Sequence, residues 1–297
     1  SGAVTGTLKW YIYNNNQFGT EGNGLTVDAN GKFTLKNVTS HQTIGVTPDS
    51  HNYKLFSIYT VNPSGFVGSG TQADPYLIQD KEDLVNLNNY VKSGQNFKGD
   101  FFTQTKDIDL NYSDDFKGVG DDYKQNHAFA GTYDGQGHTI HRMKIDGVVY
   151  DESGKAVYSK SRRVGGLFGY TTETSVLKNI NIAADCKIEV YEIVGGVVGA
   201  TQGRVENCRN YADITAITDN AGGIAGQVTS TGAASGCYNS GTITAGGNTV
   251  GGIVAVLGGK VEYCQNDGEV RNIVLSPTRV ATALNTAGGI AGEASGS

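Results

Sequence analysis

One six-residue phrase recurs five times in the second half of the chain: VGGLFG at 164–169, VGGVVG at 194–199, AGGIAG at 221–226, VGGIVA at 250–255 and AGGIAG at 287–292. Its leading glycines stand at 165, 195, 222, 251 and 288, in steps of 30, 27, 29 and 37 residues. A unit of this size cannot bury its apolar face alone, so its copies must stack into a solenoid. The fourth position is always a large aliphatic residue, Leu167, Val197, Ile224, Ile253 or Ile290, and is expected to point into the core.

A second column follows each of the first four phrases. Ile180, Cys208, Cys237 and Cys264 are spaced by 28, 29 and 27 residues, and Asn210, Asn239 and Asn266 stand two places after the cysteines. A third apolar segment closes each unit near Ile214, Ile243 and Val270. Three short runs separated by glycine and asparagine turns, each too short for a helix, predict three strands per coil of about 28 residues. That is one turn of a parallel β-helix, an all-β solenoid whose coils stack about 4.8 Å apart. The asparagines read as a corner ladder, because Asn tolerates the left-handed region and hydrogen-bonds its own turn.

The thiol column invites a metal or redox reading. Zinc needs four converging ligands, commonly from CxxC pairs, and the sequence has none. A disulfide needs Cα atoms roughly 4.4–6.8 Å apart, so one bridge between coils stays open, but a ladder of buried free thiols is the favoured reading. Cys186 falls outside the column. No metal and no cofactor is expected.

The GG phrases, with GSGTQADPYLIQDKEDLVNLNNYVKSG at 68–94 and FAGTYDGQGHTI at 129–140, resemble the GLUG-motif family of bacterial surface proteins. Similar repeats occur as accessory regions of IgA-specific metallopeptidases. The resemblance covers roughly residues 68–297. It implies a right-handed parallel β-helix on the cell surface and defines no catalytic residues.

Residues 1–64 are organised differently. LKWYIY, GLTVDANGKFTLKNV, TIGVTP and YKLFSIYTV, with a hairpin signal at 28–31, predict a small antiparallel β unit, read as the end of a larger sandwich. Asn62-Pro63-Ser64-Gly65 marks the boundary, and residues 65–297 form the β-helix domain. Gln79–Val91 is the helix candidate: Asp80 suits the N-cap, Asp83 a weaker capping box, Leu84, Leu87 and Val91 share a face, and Gly94 ends the run. Placed just before the first coil, it would cap the solenoid. The fifth phrase lacks its second and third strands, which leaves an open C-terminal edge as a predicted association surface. The abrupt opening at Ser1-Gly2 reads as a mature or trimmed chain, with any export signal or lipid anchor upstream.

With 23 basic and 29 acidic residues the net charge is −6, and no basic run occurs, which argues against nucleic acid as a partner. No apolar stretch approaches the length of a membrane-spanning helix. Function is expected on three insertions, because loops carry recognition on a rigid scaffold. These are 111–128, 148–159, which looks like a protruding hairpin, and 272–285, which accounts for the 37-residue step. The first mixes Tyr112, Phe116 and Tyr123 with Asp114, Asp115, Asp121 and Asp122, a composition suited to sugars. The four aspartates also leave open a loose calcium site. Asp107, Asp109 and Asn111 open like an EF-hand loop, but Tyr112 and Gly118 occupy positions where glycine and glutamate belong.

A glycosidase would need two carboxyls roughly 5–9.5 Å apart. The column Lys178, Glu206, Ser235, Glu262 places its glutamates two coils apart, near 10 Å. His138 and His141 stand three apart in a strand-like run and face opposite sides, and neither HExxH nor GxSxG occurs. The expectation is a non-catalytic, adhesin-like extracellular module that presents loops to a host or bacterial glycan or protein. The alternatives are a polysaccharide-active enzyme using Glu206 and Glu262, and a spacer within a larger surface protein.

Overall fold

Short runs such as Val176–Lys178 bury their central residue and turn the flanking two outward, the period-two pattern of a strand covered on one side. The computed structural model describes residues 9–14, 17–22, 26–27, 33–34, 42–47, 57–61, 65–120, 127–146, 148, 151–154, 157, 163–273 and 286–295. The chain divides into two units, Ser1–Ser69 and Gly70–Ser297. In the first, Gln17–Gly22, Lys9–Asn14, Gln42–Thr47 and Ser57–Val61 lie in that order in an antiparallel sheet. Thr26–Val27 pairs antiparallel with Phe33–Thr34 across the expected hairpin.

The second unit is the parallel β-solenoid that the repeats predict. Leu177 stacks on Val205, Val205 on Ala234 and Ala234 on Val261, in steps of 28, 29 and 27 residues. Its coils are built from five short strands in place of the expected three, because two of the expected strands bend. One complete coil runs Val164–Gly165, Phe168–Thr171, Val176–Lys178, Asn181–Ile182 and Lys187–Val190, and each strand belongs to its own parallel ladder. The middle bend is a left-handed residue: φ is 54° at Asn179, 53° at Asn207, 63° at Gly236 and 54° at Tyr263. Asparagine and glycine reach this region at little cost, so the chain can turn there without leaving the ladder.

This moves the asparagine column expected at the corner. Asn210 and Asn239 lie inside, each 0% exposed, and the left-handed corner belongs to the column three residues earlier. Asn210 Nδ2 donates to Asn239 Oδ1 at 2.8 Å and Asn239 Nδ2 to Asn266 Oδ1 at 2.7 Å. Each Nδ2 also donates to a carbonyl two residues on, Ala212, Gly241 or Gly268, so the expected bond to the asparagine's own turn is present. A buried polar column is tolerated only when its members are satisfied in this way. The second glycine of the phrase packs against it: a Cβ at Gly223 would lie 2.5 Å from Asn239 Cγ and 2.2 Å from the Gly252 carbonyl oxygen.

Leu167, Val197, Ile224 and Ile253 are fully buried as expected, whereas Ile290 in the last coil is half-buried. Large aromatics fill the N-terminal end. Phe102 packs on Phe129 at 5.8 Å, Phe129 on Phe168 at 5.1 Å and Tyr133 on Phe168 at 5.3 Å. Tyr133 is fully buried, which raises its phenol pKa, and its hydroxyl donates to Gln104 Oε1 at 3.1 Å. The helix spans Lys81–Lys92 with Asp80 as N-cap, whose Oδ1 accepts from Asp83 N at 3.1 Å. Asp83 reaches back one residue beyond the cap, accepting from Gln79 N at 2.8 Å. Leu84, Leu87, Asn88 and Val91 are buried, so the helix turns the face that they share into the interior. At the other end Val261, Cys264, Val270 and Ile290 are partly exposed where their upstream counterparts are buried.

All four cysteines are free thiols, with Cys186, Cys208 and Cys237 buried. Each column thiol donates to the carbonyl two residues before it, at 3.3 Å for Cys208, 3.4 Å for Cys237 and 3.3 Å for Cys264. Burial pushes the Cys186 thiol up to about 12, and the neighbouring thiol in the ladder, with burial, raises Cys237 and Cys264. The thiolate is the reactive form. A disulfide-exchange dye at pH 8 is therefore expected to leave the native protein unlabelled over minutes and to titrate all four thiols after denaturation. A thiol that reacts fast in the native state would contradict this.

Candidate functional site

Of the residues expected to bind ligand, Tyr112, Asp114, Asp115 and Phe116 are among the described residues, and each is engaged within the protein. Phe116 is 1% exposed and belongs to the core. Tyr112 turns through the left-handed region at φ 53°, its hydroxyl donates to the Asp185 carbonyl at 3.0 Å, and Lys187 Nζ lies 4.7 Å from its ring centre. Asp114 accepts from Lys117 at 3.0 Å and Lys144 at 3.1 Å, and these lysines hold its carboxyl below the usual range. Asp115 accepts from Ser113 Oγ at 3.1 Å and lies 3.9 Å from Lys81. Asp121, Asp122 and Tyr123 lie outside the described residues, as do 274–285 and half of 148–159. Of that hairpin, the described turn has Gly154 N donating to the Asp151 carbonyl at 2.9 Å.

Other acids are similarly engaged. Arg142 holds Asp109, lowering its pKa, and Asp109 Oδ1 also accepts from Asn111 N at 2.8 Å. His138 pairs with Asp107 at 3.4 Å and His141 with Asp185 at 3.3 Å. Among the described residues no three His, Cys, Asp or Glu side chains are placed to hold a metal ion. Glu206 and Glu262 stand in one outward column with Ser235 between them. Arg204 pairs with the first at 3.2 Å and Lys260 with the second at 2.7 Å.

The better candidate lies on the coils, at the corner where the left-handed residues turn the chain. Because Asn210 and Asn239 point inward, the residues just before them point out. The outward column of that ladder is Asn181, Arg209, Tyr238 and Gln265. A shallow groove of about 430 Å³ lies at this corner, lined by Gln136, Gly137, Asn179, Asn181, Asn207, Arg209 and Gly236. Tyrosines stand on the coils that follow, outside the groove's own lining: Tyr263 is 91% exposed, and Tyr211 and Tyr238 have ring centres 6.0 Å apart. Arg209 lies over the Tyr238 ring at 5.9 Å, and the Tyr238 hydroxyl donates to Asp267 Oδ2 at 3.1 Å.

Backbone geometry exposes these groups. Asn179 Nδ2 is anchored to Asp134 Oδ1 at 2.8 Å and Asn181 Nδ2 to the Gly137 carbonyl at 2.6 Å, which fixes two of the amides that line the groove. Burial opposes ionisation of Asp134, but Asn179, the Gln136 N–H and Lys178 together lower its pKa, so a fixed charge braces this wall. Gly236 opens the floor, since a Cβ there would lie 2.4 Å from Asn207 Oδ1. The arrangement can take up hydroxyl-rich ligands: amides offer donors and acceptors, and tyrosine rings offer apolar faces.

No family model matches the chain. Over 226 residues it is 26% identical to Halomucin of Haloquadratum walsbyi, a match that covers 71% of this chain and 2% of that protein. Among solved structures it is similar to a chain provisionally described as an immunoglobulin A1 protease from Bacteroides ovatus. The identity is 19%, the coverage 75% of this chain and 86% of that one, and the TM-score 0.45.

The sequence reading centred on the loops and did not single out this corner. The signal was present one residue before the cysteine column, where Asn179, Asn207 and Gly236 give way to Tyr263. Asparagine and glycine there mark a left-handed turn. A tyrosine in the same position is held in a conformation bulky residues avoid, with its ring in solvent.

Proposed function

We propose that this chain is a ligand-presenting module of an extracellular surface protein, non-catalytic, which binds glycan on the corner face of its solenoid. The observation that carries the reading is the outward column Asn181, Arg209, Tyr238 and Gln265 beside a 430 Å³ amide-lined groove. Exposed tyrosine faces next to amides are the groups that sugar rings require: apolar C–H surface on a ring, and hydroxyls on donors and acceptors. Surface location is supported by the resemblance of the GG phrases to the GLUG-motif surface proteins. Among the described residues no helix is long and apolar enough to cross a membrane. The pairing of Glu206 with Arg204 and Glu262 with Lys260 supports the non-catalytic part, because neither carboxylate is held as a free acid or base.

A glycan array on the whole chain, with Tyr238→Ala and Tyr263→Ala beside it, tests the proposal. An aromatic contact contributes about 1 kcal/mol, so each variant is expected to bind the best glycan roughly fivefold more weakly with an unchanged melting curve. Undiminished binding by both variants would move the site elsewhere. Release of reducing sugar from the same panel, lost in Glu206→Gln, would replace the binding module with an enzyme.

A further inference from the structure

Among the described residues, the arginines of the solenoid divide into two kinds. Arg163 pairs with Glu192 at 2.8 Å, Arg204 with Glu206 at 3.2 Å and Arg271 with Glu269 at 2.5 Å, and Arg142 is held by Asp109. Arg209 differs. Among the described residues no carboxylate lies within salt-bridge distance of it, and its recorded side-chain contact is the Tyr238 ring at 5.9 Å. The chain carries 29 acidic against 23 basic residues, so a shortage of carboxylates does not explain this.

We infer that Arg209 is the anion-recognising group of the groove and that the ligand is a glycan bearing a carboxylate, a uronate or a sialate. This rests on the glycan-binding reading above and narrows its ligand class. A guanidinium presents a planar fork that matches a carboxylate with two parallel hydrogen bonds, and such charge-assisted pairs are stronger than neutral ones. The Tyr238 face beside it favours the cation and orients the plane. Among the described residues the neighbouring Asn207 and Gln136 side chains make no hydrogen bond, and both line the groove with Asn181. One exposed charge is thus set among neutral amides, the composition needed to fix a carboxylate at one point and hydroxyls around it. The net charge of −6 disfavours loose attraction of polyanions, so recognition must come from this local geometry.

The test is calorimetric titration of the whole chain with oligogalacturonate, with sialyl-lactose, and with each after its carboxyl groups are reduced to alcohols. One carboxylate form is expected to bind at least tenfold more tightly than its reduced counterpart, and the winning sugar tells uronate from sialate. Arg209→Gln should abolish that difference while its residual affinity matches the wild type for the reduced glycan. Arg209→Lys should fall between, since it keeps charge and loses the fork. Equal binding of charged and reduced forms by the wild type, or full discrimination by Arg209→Gln, overturns the inference and leaves glycan binding standing. If no glycan binds in either form, the glycan reading itself falls and takes this one with it. Arg209 is solvent-exposed, so unchanged melting of both variants is the folding control.

Discussion

Gly223→Ala is expected to lower the stability of the solenoid by about 3 kcal/mol, the upper end for overpacking a rigid interior. The added Cβ would lie 2.2 Å from the Gly252 carbonyl oxygen and 2.5 Å from Asn239 Cγ. The first neighbour is backbone in a paired ladder and the second is an amide held by three hydrogen bonds, so neither can step aside cheaply. Gly223 is not among the residues with positive φ, so the cost is one of space. The same position in the last coil supplies the control. A Cβ at Gly289 meets nothing within 4 Å, and Gly289→Ala should be neutral to within about 0.5 kcal/mol. Urea unfolding of both variants measures the contrast. Equal loss in the two would mean that the glycine is needed for its backbone freedom and that the packing account is wrong.

That contrast explains why so much of the fold was legible. Inward residues repeat because each coil must fit the one before it, so Leu167, Val197, Ile224 and Ile253 announced a core column before any coordinate was known. The helix was readable for a local reason: Asp80, Leu84, Leu87, Val91 and Gly94 each do at their own position what cap, face and stop require. The strand count was not readable, since strands such as Asn181–Ile182 contain two residues and leave no period to detect. Nor was the role of the asparagines. Turn chemistry and a buried hydrogen-bonded ladder ask for the same side chain, and only the register of Asn210 beneath Asn239 separates them.

The candidate site was obscured by the same logic in reverse. Outward residues face water and need not match the shape of their neighbours in the stack, so Asn181, Arg209, Tyr238 and Gln265 show no common character. Diversity in a column flanked by invariant ones is itself the mark of a surface free to specialise. In the 111–128 insertion the reverse error arose: Phe116 belongs to the core although its neighbours are acids. An isolated aromatic in a charged loop is more often an anchor than a contact.

The largest electrostatic effect is expected at Asn239. Asn239→Leu removes the acceptor for Asn210 Nδ2 and the donor to Asn266 Oδ1 and the Gly241 carbonyl. Each buried group left without a partner costs about 1–3 kcal/mol; Asn266 Oδ1 keeps a bond from Gly268 N and Asn210 Nδ2 its bond to the Ala212 carbonyl, so the unpaired Gly241 carbonyl and the second Asn210 hydrogen together set a loss of about 3–4 kcal/mol. The melting temperature should fall by roughly 10 °C for a unit of this size. Ile182 occupies the same column one coil before Asn210, so an apolar side chain fits the space, and the cost is that of interrupting an established ladder. Asn239→Asp sharpens the point because the sign of its pH dependence is fixed. A carboxylate there could still accept from Asn210 but would face Asn266 Oδ1 and the Gly241 carbonyl with no hydrogen to give. Burial and these acceptors raise its folded pKa above that of the unfolded chain, so the penalty relative to wild type is full at neutral pH and shrinks as pH falls through the raised value. Protonation restores one donor and with it one rung. Unfolding curves of Asn239→Asp and wild type, compared at each pH from neutral to 4, should converge toward the acid end. A gap that stays constant or widens would show that the ladder is held by shape and not by its hydrogens.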